Sequence, residues 1–302
     1  MRLPARFEDE LVAMLWEHGT LGVEVGNVDA VGNLSLDAYF PVGHPLPEVG
    51  AAWVERGVRR EFAESLPDAD WLAPYRARTV PFAVGKSFFI DPRDPADDPP
   101  PAAAKVPPGR TLLRLPAREA FGVGSHETTR LTLMLLEDAA CRPLAGVPSA
   151  DAPLAGSRVL DVGTGTGILA FAALALGAAA VTAFDIDPIA VFHARHNAAL
   201  NASHLPGAST GRSPFVLFAG TVGALEPTPW DLLLINVLPE RIGPDLDFLV
   251  RSLRRGGELL LSGLLVEQEA ESRPALDGLG LVEVARRVEG EWLGLRLRKE
   301  AA

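Results

Sequence analysis

Basic charge is scarce in this 302-residue chain: 28 Lys and Arg stand against 39 Asp and Glu, a formal net charge of −11. Surfaces that bind nucleic acid through phosphates are basic, so no direct nucleic-acid-binding surface is expected. Cysteine is nearly absent, and the single Cys141 excludes an internal disulfide and a cysteine-rich zinc site. No internal repeat is present. The opening MRLPARFEDEL lacks the apolar core of a signal peptide. One apolar stretch, Gly167 to Phe184, approaches membrane-span length, but it is rich in Ala and Gly and marks a helix end at Leu176-Gly177-Ala178. Helix plus strand explains it better. The expectation is a cytoplasmic protein with no membrane association, long enough for one large domain or two.

The informative stretch runs from Arg158 to Pro188, RVLDVGTGTGILAFAALALGAAAVTAFDIDP. An apolar run, Val159 to Val162, breaks into Gly163-Thr164-Gly165-Thr166-Gly167, and an Ala/Leu-rich helical segment follows. A second apolar run, Ala180 to Phe184, ends on Asp185. Strand, glycine turn, helix, strand and acid form the βαβ arrangement that holds a nucleoside. Glycine tolerates positive φ and has no Cβ, so the turn can bend sharply and lie close to a ligand. The acid can accept hydrogen bonds from both ribose hydroxyls. A dinucleotide fingerprint reads G-x-G-x-x-G, whereas this turn reads G-x-G-x-G after Leu160-Asp161. That DxGxGxG form, closed by Asp185, resembles motif I of the class I methyltransferases that use S-adenosylmethionine.

Ahead of this stretch, Phe7, Leu11, Met14 and Leu15 follow helical spacing from Phe7 to His18. Gly22–Val25 and Leu34–Phe40 read as strands, Val49–Ser65 as a helix and Val80–Ile90 as another strand. With a short first strand in Met1–Pro4, this is most of a βαββαβ ferredoxin-like unit. Asp91 to Gly109, DPRDPADDPPPAAAKVPPG, is rich in proline and acid without apolar periodicity and reads as a linker. The expected division is an N-terminal α+β domain over 1–90, a linker over 91–109 and a nucleoside-binding domain over 110–302.

After the linker, Thr111–Leu115 is a strand candidate. The loop Glu119 to Arg130 then leads into a helix of Leu131, Leu133, Met134, Leu135 and Leu136, with Thr128 and Thr129 at its start. Cys141 to Ser157 reads as a surface loop. His193 and His196 are three apart on a helix, but no third ligand of suitable spacing accompanies them, so they are expected to face solvent and no metal is expected. Phe215–Ala219 and Trp230–Ile235 are strands, the latter running into Asn236. Arg254 to Gly257 reads as a tight turn into strand Glu258–Ser262, and Leu281–Val288 with Trp292–Leu297 as a closing antiparallel hairpin. The domain is thus a mostly parallel α/β sheet with a reversed edge.

Five stretches together, AFGVGSHETTRL, VLDVGTGTGILAFAALALGA…FDIDP, LLLINVLPE, SGLLVEQ and EGEWLGLRLRK, resemble the ribosomal protein L11 methyltransferase (PrmA) family over nearly all of Thr111–Lys299. The Asp70-Trp71-Leu72 stretch is similar as well. The resemblance implies a Rossmann-like class I fold, S-adenosyl-L-methionine as cofactor and transfer to lysine or other amino groups of ribosomal protein L11. It places Thr129, Gly163, Asp185 and Asn236 on the family's cofactor contacts, with Asp161, Gly165 and Gly167 completing the cofactor-binding set. Two departures stand out: Thr221 replaces the acid that many methyltransferases use near the adenine amino group, and Val237-Leu238-Pro239-Glu240 follows Asn236.

A sulfonium methyl is already an activated electrophile, so the protein must mainly align a neutral nucleophile behind it. Asn236, whose side-chain oxygen could orient an amine lone pair, is the candidate catalytic residue. No Ser/His/Asp triad or paired-carboxylate signal competes with it. The N-terminal part is expected to recognise the protein substrate; residues 1–110 hold 17 acidic and 11 basic side chains, a balance able to steer a basic ribosomal protein. The alternatives are a sister enzyme acting on lysines of another protein, a cofactor-binding interaction protein without transfer activity, and a small-molecule methyltransferase.

Overall fold

The computed structural model describes residues 1–60 except Leu21, Asn27, Ala30, Val42 and Glu48, then 63, 80–97, 100–116, 124–140, 154–202, 214–225 and 228–300. The chain forms two compact units, Met1–Asp70 and Trp71–Ala302.

In the first unit, β1 (Arg2–Pro4) leads into α1 (Glu8–Glu17), followed by β2 (Gly22–Val25), β3 (Asn33–Tyr39) and the short α2 (Ala51–Glu55). The strands lie in the order β1-β3-β2, all antiparallel. Arg2 also forms an antiparallel bridge with Arg59, which puts the chain after α2 in the place of a fourth strand beside β1. That is the ferredoxin-like arrangement. Leu11 and Leu15, one turn apart on α1, meet Leu3, Leu34, Leu36 and Val58 in the interior. Helix α2 is much shorter than the expected Val49–Ser65. Gly57, at φ +89°, turns the backbone out of the helix so that Val58 can enter the core.

The second unit takes the segment Val80–Ile90 that was expected to complete the first. It is not one strand but a hairpin, β4 (Phe82–Val84) and β5 (Phe88–Asp91), and β5 pairs in parallel with β6 (Thr111–Arg114). The proline-rich segment therefore connects two neighbouring strands of one sheet and is a loop within the second unit, not a linker. The contact boundary falls at Asp70, ahead of the expected 90. The cause is packing: Phe88 and Ile90 are fully buried in the same cluster as the nucleoside-type sheet. Asp70-Trp71-Leu72, residues 117–123 of the glycine loop and most of Cys141–Ser157 lie outside the described residues.

The remaining elements are α3 (Glu127–Ala140), β7 (Arg158–Val162), α4 (Ile168–Ala175), β8 (Ala180–Asp185), α5 (Pro188–Asn201), β9 (Phe215–Ala219), β10 (Trp230–Asn236), α6 (Pro239–Ile242), α7 (Leu246–Ser252), β11 (Leu253–Leu265), α8 (Glu269–Gly278), β12 (Leu281–Glu289) and β13 (Trp292–Lys299). Seven strands form one sheet in the order β12-β13-β11-β10-β7-β8-β9, parallel except for β13, which runs antiparallel to both of its neighbours. Leu232 and Leu234 of β10 pack with α3 and α4 on one face, while Leu233 and Ile235 pack with α7 and α8 on the other. Burial on both faces is why the central strands read as unbroken apolar runs. Strand β11 is longer than the expected Glu258–Ser262: Trp230 pairs with Leu253 and Leu232 with Glu258, so Arg254 to Gly257 bulge out instead of preceding the strand. Among the described residues, no helix is long and apolar enough to cross a membrane.

Candidate active site

The glycine turn leaves β7 at the carboxyl edge of the sheet. Gly163, Gly165 and Gly167 have φ of +68°, +54° and +87°, a region that favours glycine. Gly167 is also the residue before α4, with Phe171 of that helix 2.6 Å from where a Cβ would stand. The turn is held from two sides. Gly165 N–H donates to Asp185 Oδ2 (2.9 Å), and Thr164 N–H donates to the Phe184 carbonyl (2.9 Å), tying the turn to the end of β8. From beneath, Asp161 Oδ2 accepts from Thr164 Oγ1 (2.6 Å) and Ala170 N–H (3.2 Å).

Asp161 and Asp185 thus differ in kind. Asp185 is half-buried, and its Oδ1 accepts from Asp187 N–H (3.0 Å). A carboxylate has about four acceptor positions, so both oxygens retain capacity for a diol. Asp161 is fully buried, and burial pushes its carboxyl up to about 7 against the opposing bonds from Thr164 and Ala170. Asp161 was expected among the cofactor contacts; its Oδ2 holds the turn from beneath, while its Oδ1 is buried without a hydrogen-bond partner.

Asn236 ends β10 one strand away from the turn. Its Nδ2 donates to Thr129 Oγ1 (3.2 Å), while its Oδ1 is buried with no hydrogen-bond partner. An orphan buried acceptor costs free energy unless something fills it. Thr129 itself is fully buried in the first turn of α3, at the helix start. The structure brings together Thr129 and Asn236, 107 residues apart, and links Gly165 to Asp185 across 20. Val237 joins the two groups: its Cγ2 stands 2.5 Å from the position of a Cβ on Gly163.

Ser262-Gly263, the start of the SGLLVEQ stretch, frames Asn236. Ser262 pairs with Asn236, the β10–β11 ladder ends there, and Gly263 (φ +88°) approaches the Val237 backbone so closely that a Cβ would lie 2.7 Å from its carbonyl oxygen. A Ser-Gly pair inside an apolar strand is the available signal for such a bulge. Thr221 is exposed after β9, and the preceding Gly220 donates to the Asp185 carbonyl (2.9 Å). On α5, His196 is exposed and His193 is half-buried with its ring edge-on to Phe192. No three His, Cys, Asp or Glu side chains among the described residues cluster as a metal site.

The family described as Ribosomal protein L11 methyltransferase (PrmA) matches residues 8–300. The chain is 37% identical over 320 residues to the ribosomal protein L11 methyltransferase of Geobacter sulfurreducens, covering 99% of this chain and 96% of that one. It is 32% identical over 311 residues to that of Deinococcus radiodurans, covering 99% and 98%. The crystal structure of ribosomal protein L11 methylase from Lactobacillus delbrueckii subsp. bulgaricus is 28% identical with a TM-score of 0.58, covering 73% of this chain and 99% of that chain. With matches across both units, and with the strand order and glycine turn already described, the chain belongs to the ribosomal protein L11 methyltransferase (PrmA) family.

Proposed function

We propose that this protein transfers a methyl group from S-adenosyl-L-methionine to amino groups of ribosomal protein L11, in the cytoplasm. The observation that carries the reading is Asn236: a buried acceptor oxygen without a partner, fixed by Thr129 and set beside a glycine turn. The residues present fit the cofactor. Gly163, Gly165 and Gly167 leave the turn open to close approach, Asp185 retains acceptor capacity for the ribose hydroxyls, and Thr129 and Asn236 border the same edge. Asp161 contributes indirectly by holding Thr164 and the start of α4. When bound, the cofactor supplies a sulfonium methyl, an electrophile that needs no further activation.

The protein's own work is then on the amine. A lysine has a reference pKa of about 10.4 and must lose a proton before it can attack. Asn236 Oδ1 accepts a hydrogen from the neutral amine and so directs its lone pair, while the apolar surroundings of the strand ends favour the uncharged form. Thr129 holds the Asn236 amide so that the oxygen, not the nitrogen, faces the acceptor. Residues 1–70 hold 13 acidic and 5 basic side chains, most of the charge excess of the whole chain, which suits capture of a basic protein by the first unit.

The test is incubation of the full chain with labelled S-adenosylmethionine and purified ribosomal proteins. Label on ribosomal protein L11 is expected. Label on a different protein moves the reading to a sister enzyme, and no label with intact cofactor binding leaves an interaction protein.

A further inference from the structure

We propose that Trp292, backed by His126, forms the aromatic wall of the acceptor channel and sets which amines reach Asn236; this rests on the functional reading above. Strands β10 and β11 both end at the carboxyl edge of the sheet, and the antiparallel β13 begins there. Asn236 pairs with Ser262, and Trp292 pairs with Leu265 three residues further along β11, past the glycine bulge. Trp292 therefore stands above the level of Asn236. From the other side comes the start of α3: His126 lies three residues before Thr129, the residue that fixes the Asn236 amide. The two rings meet edge to face, 5.2 Å between centroids and 65° between planes.

This pair is built, not incidental. Arg130 donates to the Ser125 carbonyl (2.9 Å) and pairs with Glu289, which faces Trp292 across the β12–β13 hairpin. His126 is pinned by its Nδ1, 2.9 Å from Thr128 Oγ1. Yet Trp292 is only half-buried and belongs to neither core cluster of the unit, so its indole packs on His126 where it serves no core. The ligand chemistry that suits it is a primary amine on a flexible aliphatic stem. The ring attracts the ammonium on arrival, the methylenes pack along it, and the same apolar surface favours the neutral amine once the proton has left.

Trp292→Leu and Trp292→Phe in the full chain test this, with cofactor Kd from calorimetry and kcat and KM for purified ribosomal protein L11 from label transfer. Trp292→Leu is expected to lower kcat/KM about ten-fold, chiefly through KM, with cofactor Kd changed less than about two-fold, and Trp292→Phe to recover to within about three-fold of the unaltered chain. If Trp292→Leu does not fold, Trp292→Met carries the test in its place, with the same loss of about ten-fold at unchanged Kd expected. An unchanged kcat/KM overturns it. So does a parallel loss of cofactor affinity, which assigns Trp292 to cofactor binding or to holding the loop. Absence of label on ribosomal protein L11 with the unaltered chain overturns the functional reading, and the wall with it.

Discussion

At the residue scale, three side chains of the site make separable demands. Asp185→Ala is expected to weaken S-adenosylmethionine binding by about 1–3 kcal/mol, the worth of hydrogen bonds to a charged group. Calorimetry on the folded variant checks it, and since Asp185 also accepts from Gly165, the variant's fold must be confirmed first. Asn236→Ala is expected to slow methyl transfer by more than its effect on cofactor affinity, because its buried oxygen has no partner within the protein and is the proposed acceptor for the amine. Single-turnover rates at saturating cofactor separate the two; a normal rate would remove Asn236 from the chemistry. Asp161 predicts a pH effect. Its folded carboxyl titrates near 7 against an ordinary value of 3.8, so between these the folded state holds a proton that the unfolded state has lost. Its contribution to stability is therefore greatest at low pH and falls as pH rises toward 7, then stays flat. Asp161→Asn removes that dependence, so its stability relative to the unaltered chain should improve by about 3 kcal/mol between pH 5 and pH 8. Denaturant unfolding at the two pH values reads the difference, and parallel behaviour of the two proteins would refute the buried-acid account.

At the element scale, the strand ends decide the site. Regular strands such as Phe215–Ala219 and Gly22–Val25 follow directly from their apolar patterns. The irregular ones do not. Strand β11 breaks register twice, once around Arg254–Gly257 and once between Leu261 and Leu264. The first break follows Arg254 pairing with Asp231 on the neighbouring strand. The second brings Gly263 against the Val237 backbone. Gly263→Ala is expected to cost about 1–3 kcal/mol, since the φ is unfavourable for alanine and the obstructing atoms are backbone. It should also lower methyl transfer, because Val237 carries the peptide next to Asn236. Urea unfolding with parallel rate measurements tests this; an unchanged protein would mean the strand ends can separate freely.

At the scale of the whole molecule, the boundary between units determines which truncation is informative. A chain beginning near Lys105 lacks Phe88 and Ile90, both fully buried, and the turn amides of Lys86 and Ser87 that donate to Glu137 of α3. It is expected to lose cooperative folding. A chain beginning near residue 71 keeps these contacts and is expected to fold and bind S-adenosylmethionine almost as tightly as the full chain. It should lose most transfer to ribosomal protein L11, since alignment of the target amine would depend on the acidic first unit. Circular dichroism, calorimetry and label transfer measure the three properties, and full-rate transfer by the shorter chain would show that the first unit is not the recognition element.

The sequence by itself determined the local chemistry: the glycine turn after Asp161, the acid ending β8, the Asn ending β10 and the closing hairpin. Each of these is written in a run of neighbouring residues whose backbone preferences and apolar period act within one or two turns of chain. What only the tertiary structure decided is which runs meet. Val80–Ile90 has the same β-forming composition whichever sheet it joins, and the prolines of Asp91–Gly109 mark a loop without saying what it connects. Burial of Phe88 and Ile90 against α3 and the central sheet settled that question in favour of the second unit. The same holds in the site: Thr129 and Asn236 each read as a residue at an element's end, and only the packing of α3 over β10 places one hydroxyl against one amide and leaves the Asn236 oxygen buried without a partner.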